Sequence, residues 1–265
     1  MKNKPLKRFG QNYLTDRNTI LKIVSKFNPQ KDDSIIEIGP GRGALTKELS
    51  LVSDNLTAIE IDNRVIKSLS IQFPNVKFIN HDFLKIDFNQ FDKGGQNRVI
   101  GNIPYNITSP ILFKLIENRT LFSDAMIMVQ YEVAKRMVSE PNTKDYGILG
   151  VILNYFATVN LEFKISPNVF KPKPKVDSAI VTLRFDKKST QNLNDRFFIN
   201  VVKAAFGNRR KTLKNSLNNS IFVGYNLDEI DFDFTRRAET LSIGEFIFLA
   251  NELQNSKDID GKRER

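Results

Sequence analysis

The apolar run Ser34-Ile35-Ile36-Glu37-Ile38 passes directly into Gly39-Pro40-Gly41-Arg42-Gly43, and the segment Ala44–Leu51 that follows carries Leu45 and Leu49 on one helical face. A short apolar run, a tight glycine turn and an amphipathic segment spell strand, turn and helix, with the turn too short to be anything but a βα connection. The same alternation recurs downstream. Leu56–Ile61 reads as a strand, Val65–Phe73 as a helix, and Val76–Asn80, Arg98–Gly101 and Ala125–Val129 as further strands. Upstream, Ile20, Ile23, Val24 and Phe27 have helical spacing over residues 17–27. Regular alternation of this kind predicts an α/β fold with a parallel, doubly wound sheet.

Later elements are less regular. Leu149–Ala157 is apolar throughout and its pattern suits either element type, whereas Ala179–Phe185 alternates as a strand. The polar stretch Asp186–Asn194, apolar only at Leu193, marks a domain boundary. Residues 1–188 are therefore read as one domain and 189–255 as a small helical domain, with a charged, disordered tail over 256–265. In the second domain Phe198, Val201, Val202, Ala205 and Phe206 form one stripe, and a basic helix is expected over Arg209–Leu217.

Composition removes whole classes of chemistry. Cysteine is absent and His81 is the single histidine, so disulfides, thiolate nucleophiles and His-based triads are excluded, and no metal site is expected. Without an apolar run of membrane-spanning length or a signal-like leader, the chain reads as a cytoplasmic protein that makes no membrane contact. The net charge of +10 is concentrated in three runs that contain no acid. Lys4, Lys7 and Arg8 mark the first, Lys171, Lys173 and Lys175 the second, and Arg209, Arg210, Lys211 and Lys214 the third. Cations grouped in this way suit a surface that tracks phosphates, and these residues are the candidate RNA contacts.

In open parallel sheets ligands sit beyond the carboxyl ends of the strands. The spacing Gly39-x-Gly41-x-Gly43 differs from the dinucleotide fingerprint, and it suits a ligand that approaches the backbone but has no pyrophosphate, as S-adenosylmethionine does. Glu60, after the second strand, is placed to accept from two ribose hydroxyls, and Asp82, after the third, from an adenine amino group. After the fourth strand comes Asn102-Ile103-Pro104-Tyr105. An exocyclic amine on a base is a weak nucleophile because its lone pair is delocalised into the ring. The Asn102 amide oxygen and the Ile103 carbonyl, accepting from one NH2, would favour a pyramidal nitrogen, while Pro104 stiffens the turn and Tyr105 offers a face for an extruded base.

These motifs together resemble the ribosomal RNA adenine dimethyltransferases of the KsgA/Erm family. The resemblance runs from Gly10-Gln11-Asn12-Tyr13-Leu14 through Glu37 to Gly43, Ile59-Glu60, His81-Asp82 and Asn102 to Tyr105, then Tyr146-Gly147, Phe170 to Ser178, and Arg209 to Leu213. It implies a class I S-adenosyl-L-methionine-dependent methyltransferase, Rossmann-like, with a seven-stranded sheet and a helical C-terminal domain. The implied reaction is dimethylation at N6 of two adjacent adenosines near the 3' end of 16S RNA, on a pre-30S particle, by a monomer with a role in ribosome biogenesis. By resemblance, Gln11 and Asn12 contact the methionine part of the cofactor, Glu37 and Gly39 shape its pocket, and Leu14, Gly41, Ile61, Phe83 and Asn102 complete the cofactor set. Phe170 is expected to close on the target base opposite Tyr105. Val176-Asp177-Ser178 and Arg209 to Leu217 resemble the KsgA-like branch more than the Erm-like one. An Erm-type enzyme acting on large-subunit RNA, a DNA adenine methyltransferase and a mainly non-catalytic assembly factor are the rival readings.

Overall fold

The computed structural model describes residues 12–91, 97–187, 192–208 and 210–256. Lys4, Lys7, Arg8, Gln11, Arg209 and the tail beyond Ser256 lie outside the described residues. The described residues fall into two compact units, those among 12–134 with 158–186, and those among 135–157 with 187–256.

The strands, all in the first unit, are β1 (Tyr13–Leu14), β2 (Ser34–Ile38), β3 (Asn55–Glu60), β4 (Lys77–Asn80), β5 (Asn97–Asn102), β6 (Phe122–Gln130), β7 (Thr158–Ile165), β8 (Phe170–Lys171) and β9 (Ser178–Arg184). Its helices α1 (Arg17–Phe27), α2 (Ala44–Leu49), α3 (Asn63–Gln72) and α4 (Thr108–Glu117) connect them, and α5 (Tyr131–Met137) runs across the division between the units. Seven strands form one sheet in the order β4-β3-β2-β5-β6-β9-β7, and β1 pairs with β8 in a separate two-stranded ribbon. The sheet is mixed. Strands β2 to β6 pair in parallel, as the alternation predicts, while β9 runs antiparallel to both β6 and β7. Between Ile165 and Ser178 the chain forms only a 3-10 turn and β8, and without a crossover helix the returning strand must come back antiparallel.

Strand register gathers the carboxyl ends. Ile38 lies opposite Ile59 on one side and Gly101 on the other, so Gly39, Glu60 and Asn102 reach the same sheet edge. Glu60 is in turn paired with Asn80, which brings in His81 and Asp82. Gly101 permits this convergence, because a Cβ there would lie 2.9 Å from both the Cβ and the carbonyl oxygen of Ile38. Ile35, Leu49, Leu56, Ala58, Ile100 and Met126 fill the core beneath, each at most 5% exposed. Burying each large aliphatic side chain contributes about 1.5–3 kcal/mol. At the opposite edge Arg98 donates to both carboxylate oxygens of Asp124, at 2.9 and 2.8 Å, to Asp33 at 2.7 Å and to the Phe27 carbonyl at the end of α1 at 2.7 Å.

In the second unit α6 (Ile148–Phe156), α7 (Asp195–Phe206), α8 (Leu213–Asn218) and α9 (Ile243–Asn255) supply the helices. Leu149–Ala157, whose pattern suits either element type, is helical, and the Tyr155 ring stacks on Phe198 at 3.8 Å between centroids. That packing places Lys135–Ala157 with the C-terminal helices, which corrects the boundary drawn from the polar stretch after Arg184, where the whole of 1–188 forms one domain. The expected stripe of α7 is buried at Phe198, Val201, Val202 and Ala205. The basic helix over Arg209–Leu217 is shorter than expected. Thr212 accepts from the Asn215 amide as an N-cap, so Arg210 and Lys211 precede the helix and only Lys214 of the cationic set lies on it.

Candidate active site

A cleft of about 250 Å³ opens at the carboxyl ends of β2, β3, β4 and β5, and every described residue of the expected cofactor set lines it. The glycine turn forms its floor. Gly41 has a φ of +58°, and a Cβ on it would meet the Tyr13 ring at 3.0 and 3.1 Å. Tyr13 is itself buried, with the Arg42 guanidinium over its ring at 4.6 Å from the centroid. At Gly39 a Cβ would meet nothing within 4 Å, so the absent side chain leaves room at the cleft wall.

Two buried carboxylates flank the turn. Thr46 on α2 donates to Glu37 Oε2 at 2.7 Å, yet burial dominates and pushes the Glu37 carboxyl up to about 7, with the neighbouring Glu60 adding in the same direction. Glu60 is 6% exposed and accepts from the Asp62 amide at 2.9 Å. Burial raises its pKa as well, opposed by the backbone N–H groups of Asp62, Gly41 and Ile61. Besides facing the cleft, Glu60 therefore ties the end of β3 to the glycine turn. Asp82 accepts from the Leu84 amide at 3.0 Å and so caps the 3-10 turn Phe83–Lys85 while lining the cleft.

Asn102 is the last residue of β5, one place further into the strand than the sequence pattern marks. Its amide nitrogen donates to the Asn12 carbonyl at 3.0 Å. Because a carbonyl can only accept, this bond fixes which end of the amide is which, and it directs Oδ1 away from Asn12. Neither that oxygen nor the Ile103 carbonyl accepts a hydrogen bond among the described residues. Pro104, at φ −62°, leads into the 3-10 turn Tyr105–Ile107, and the Tyr105 hydroxyl is 2.6 Å from Ser178 Oγ. Desolvation raises the Tyr105 pKa, so the phenol stays neutral.

Phe170 stands elsewhere. It is 2% exposed within the hydrophobic core, opposite Leu14 in the β1 and β8 ribbon, and does not line the cleft. The resemblance implies that this ring closes on the target base opposite Tyr105, whereas in the structure it packs in the core. The cationic runs have counter-charges from outside them: Lys164, which opens the acid-free stretch 164–175, pairs with Asp177 at 2.7 Å, and Lys214 pairs with Asp228 at 2.7 Å. Lys171, Lys173, Lys175, Arg210 and Lys211 are exposed or partly so. Thr46 and Ser178 join the site without any sequence expectation of it. For Ser178 a signal is present, since it ends the motif that begins at Phe170, but nothing local says what its hydroxyl meets.

A seven-stranded sheet with one antiparallel strand next to its edge, an open cleft at a glycine turn and an acidic residue after β3 together define a class I methyltransferase fold. Residues 2–255 match the family model described as ribosomal RNA adenine dimethylase. A "Ribosomal RNA small subunit methyltransferase A" from Chlorobium phaeobacteroides (strain BS1) is 43% identical over 95% of this chain and 95% of its own length. Among solved structures, a dimethyladenosine transferase from Plasmodium falciparum superposes with a TM-score of 0.76 at 27% identity, covering 92% of this chain and 98% of that one. The 23S rRNA methyltransferase ErmE gives 0.68 at 28% identity, covering 91% and 99%. The chain belongs to the ribosomal RNA adenine dimethylase family and is an adenine dimethyltransferase of ribosomal RNA. Among the described residues no helix is long and apolar enough to cross a membrane.

Proposed function

We propose that the cleft holds S-adenosyl-L-methionine and that the chain dimethylates N6 of two adjacent adenosines near the 3' end of small-subunit ribosomal RNA, on a pre-30S particle in the cytoplasm. The donor set suits the cofactor: Glu60 and Asp82 offer acceptors for ribose hydroxyls and an adenine amino group, Ile61 an apolar face, and the bare Gly39 a close approach to backbone. When bound, the cofactor supplies an electrophilic methyl group on a positively charged sulfur. The chain's own work is on the nucleophile. Asn102 Oδ1 and the Ile103 carbonyl accept from the two hydrogens of the target amine, drawing the lone pair out of conjugation, and Tyr105 carries the base ring. No strong general base is required, because the methylated ammonium is acidic enough to release its proton to water. Phe170 supports the site from behind by holding Leu14.

The observation that carries this reading is the Asn102 to Asn12 hydrogen bond, since it presets the amide with its oxygen available before any substrate arrives. The exposed cations Lys171, Lys173, Lys175, Arg210 and Lys211 suit the RNA backbone, while Lys214 must exchange Asp228 for phosphate. The test is methyl transfer into unmethylated small subunits, large-subunit RNA and DNA in parallel, for the wild type and Asn102→Ala. Dimethyladenosine only in the small subunit, with turnover of the variant lowered about 100-fold or more and cofactor affinity nearly intact, is the expected result. Label in large-subunit RNA would assign the Erm-type activity instead, and equal losses of turnover and affinity would remove the role given to Asn102.

A further inference from the structure

We infer that Ser178 is a positioning residue for methyl transfer, acting through Tyr105 by holding the phenol where the target base must stack. The inference rests on the proposed reading of Tyr105 as the platform for that base. Tyr105 opens the 3-10 turn that leads directly into α4, and a backbone fixed in this way still leaves its ring free to swing about the Cα to Cβ bond. The hydroxyl is the ring atom farthest from the backbone, and it lies 2.6 Å from Ser178 Oγ. Fixing Cβ at one end and the hydroxyl at the other fixes the ring axis, and only rotation about that axis is left for packing to settle.

Ser178 is suited to this task by where it stands. It is completely buried, at 0% exposure, and its backbone is held on two sides, opposite Gln130 of β6 and Ile165 of β7. A serine side chain is one bond long, so a fixed backbone gives a fixed oxygen. The neighbouring residue is pinned too: the Asp177 carbonyl accepts from the Tyr131 amide at 2.9 Å, and its carboxylate pairs with Lys164 at 2.7 Å. The antiparallel return of β9 thus delivers to the Asn102 turn a rigid hydroxyl from the far side of the sheet order. Ser178 itself touches neither cofactor cleft nor reacting atoms, since it does not line the cleft.

The experiment uses the full chain with unmethylated small subunits and compares Ser178→Ala, Tyr105→Phe, their double variant and Tyr105→Ala. Expected is a fall in kcat of about tenfold for Ser178→Ala and a similar fall for Tyr105→Phe, with the double variant no worse than either, because both remove the same bond. S-adenosylmethionine affinity should be unchanged, and products should shift from dimethyladenosine toward monomethyladenosine as the base is held less firmly. Multiplying losses in the double variant, or full turnover in both single variants, would overturn the inference. Tyr105→Ala separates the two readings. If it leaves turnover intact the base platform itself is wrong, whereas its collapse beside unaffected Ser178→Ala and Tyr105→Phe refutes the positioning role alone. Should Ser178→Ala fail to fold, Tyr105→Phe still decides, because it leaves the buried strand untouched.

Discussion

Glu37 gives the cleft a pH dependence whose sign follows from its burial. Its carboxyl is raised from 4.5 to about 7 in the folded chain, chiefly by loss of solvent. Between those values the folded chain holds a proton that the unfolded chain has released, so stability from this group is fully present below about pH 4.5, falls as pH rises and levels off above about pH 7. A shift of this size corresponds to about 3 kcal/mol across the window. Glu37→Gln keeps the shape and stays neutral, so the difference in urea stability between wild type and variant should grow in the variant's favour from about pH 5 to pH 7 and then stay constant. A cationic ligand beside Glu37 favours its ionised form. Wild-type affinity for S-adenosylmethionine should therefore rise as pH is raised from about 6 to 8, by up to tenfold per unit below the pKa, with a smaller rise for Glu37→Gln, in which Glu60 is left as the buried carboxylate of the cleft. S-adenosylhomocysteine, which lacks the sulfonium charge, should show a weaker rise. Calorimetric titration at three pH values measures both, and an affinity of the wild type that is independent of pH would refute the link between burial of Glu37 and cofactor binding.

Gly41→Ala must place a methyl against the Tyr13 ring at a φ of +58°, and cofactor binding should weaken at least tenfold while RNA affinity is retained; unchanged binding would show that the turn yields easily. Arg98→Ala leaves Asp33, Asp124 and the end of α1 without their guanidinium, so denaturant unfolding should report a loss of about 3–5 kcal/mol, with kcat below the transition near the wild-type value. Replacing Lys171, Lys173 and Lys175 by alanine should lower RNA affinity and flatten its dependence on salt by about one power of salt concentration for each phosphate no longer neutralised, without altering S-adenosylmethionine binding.

The chain carries much of its site in the open. Glu60, Asp82 and Asn102 each follow a short apolar run, and a strand ends where such a run ends, so placing them at one sheet edge needs only the periodicity. Helix α4 is less legible because its start follows the Pro104 turn without a side-chain cap, whereas β7 alternates Val159, Leu161, Phe163 and Ile165 with Asn160, Glu162 and Lys164 and so carries the period of a half-buried strand in its residues. The short α8 differs from the expected basic helix because the capping preference of Thr212 overrides the run of cations before it.

What the sequence by itself determined was local: the glycine turn, the apolar strands, the acidic and amide residues at their ends, and the motifs that mark an RNA adenine dimethyltransferase. Only the tertiary structure decided that Phe170 is core, that Lys164 has Asp177 as counter-charge, that β9 runs antiparallel, and that Asn102 and Tyr105 are oriented by Asn12 and Ser178. The physical reason is range. Turn and strand preferences act between near neighbours, whereas the bonds that aim Asn102 and Tyr105 join residues 90 and 73 positions apart, and they exist only once the whole sheet has closed its register.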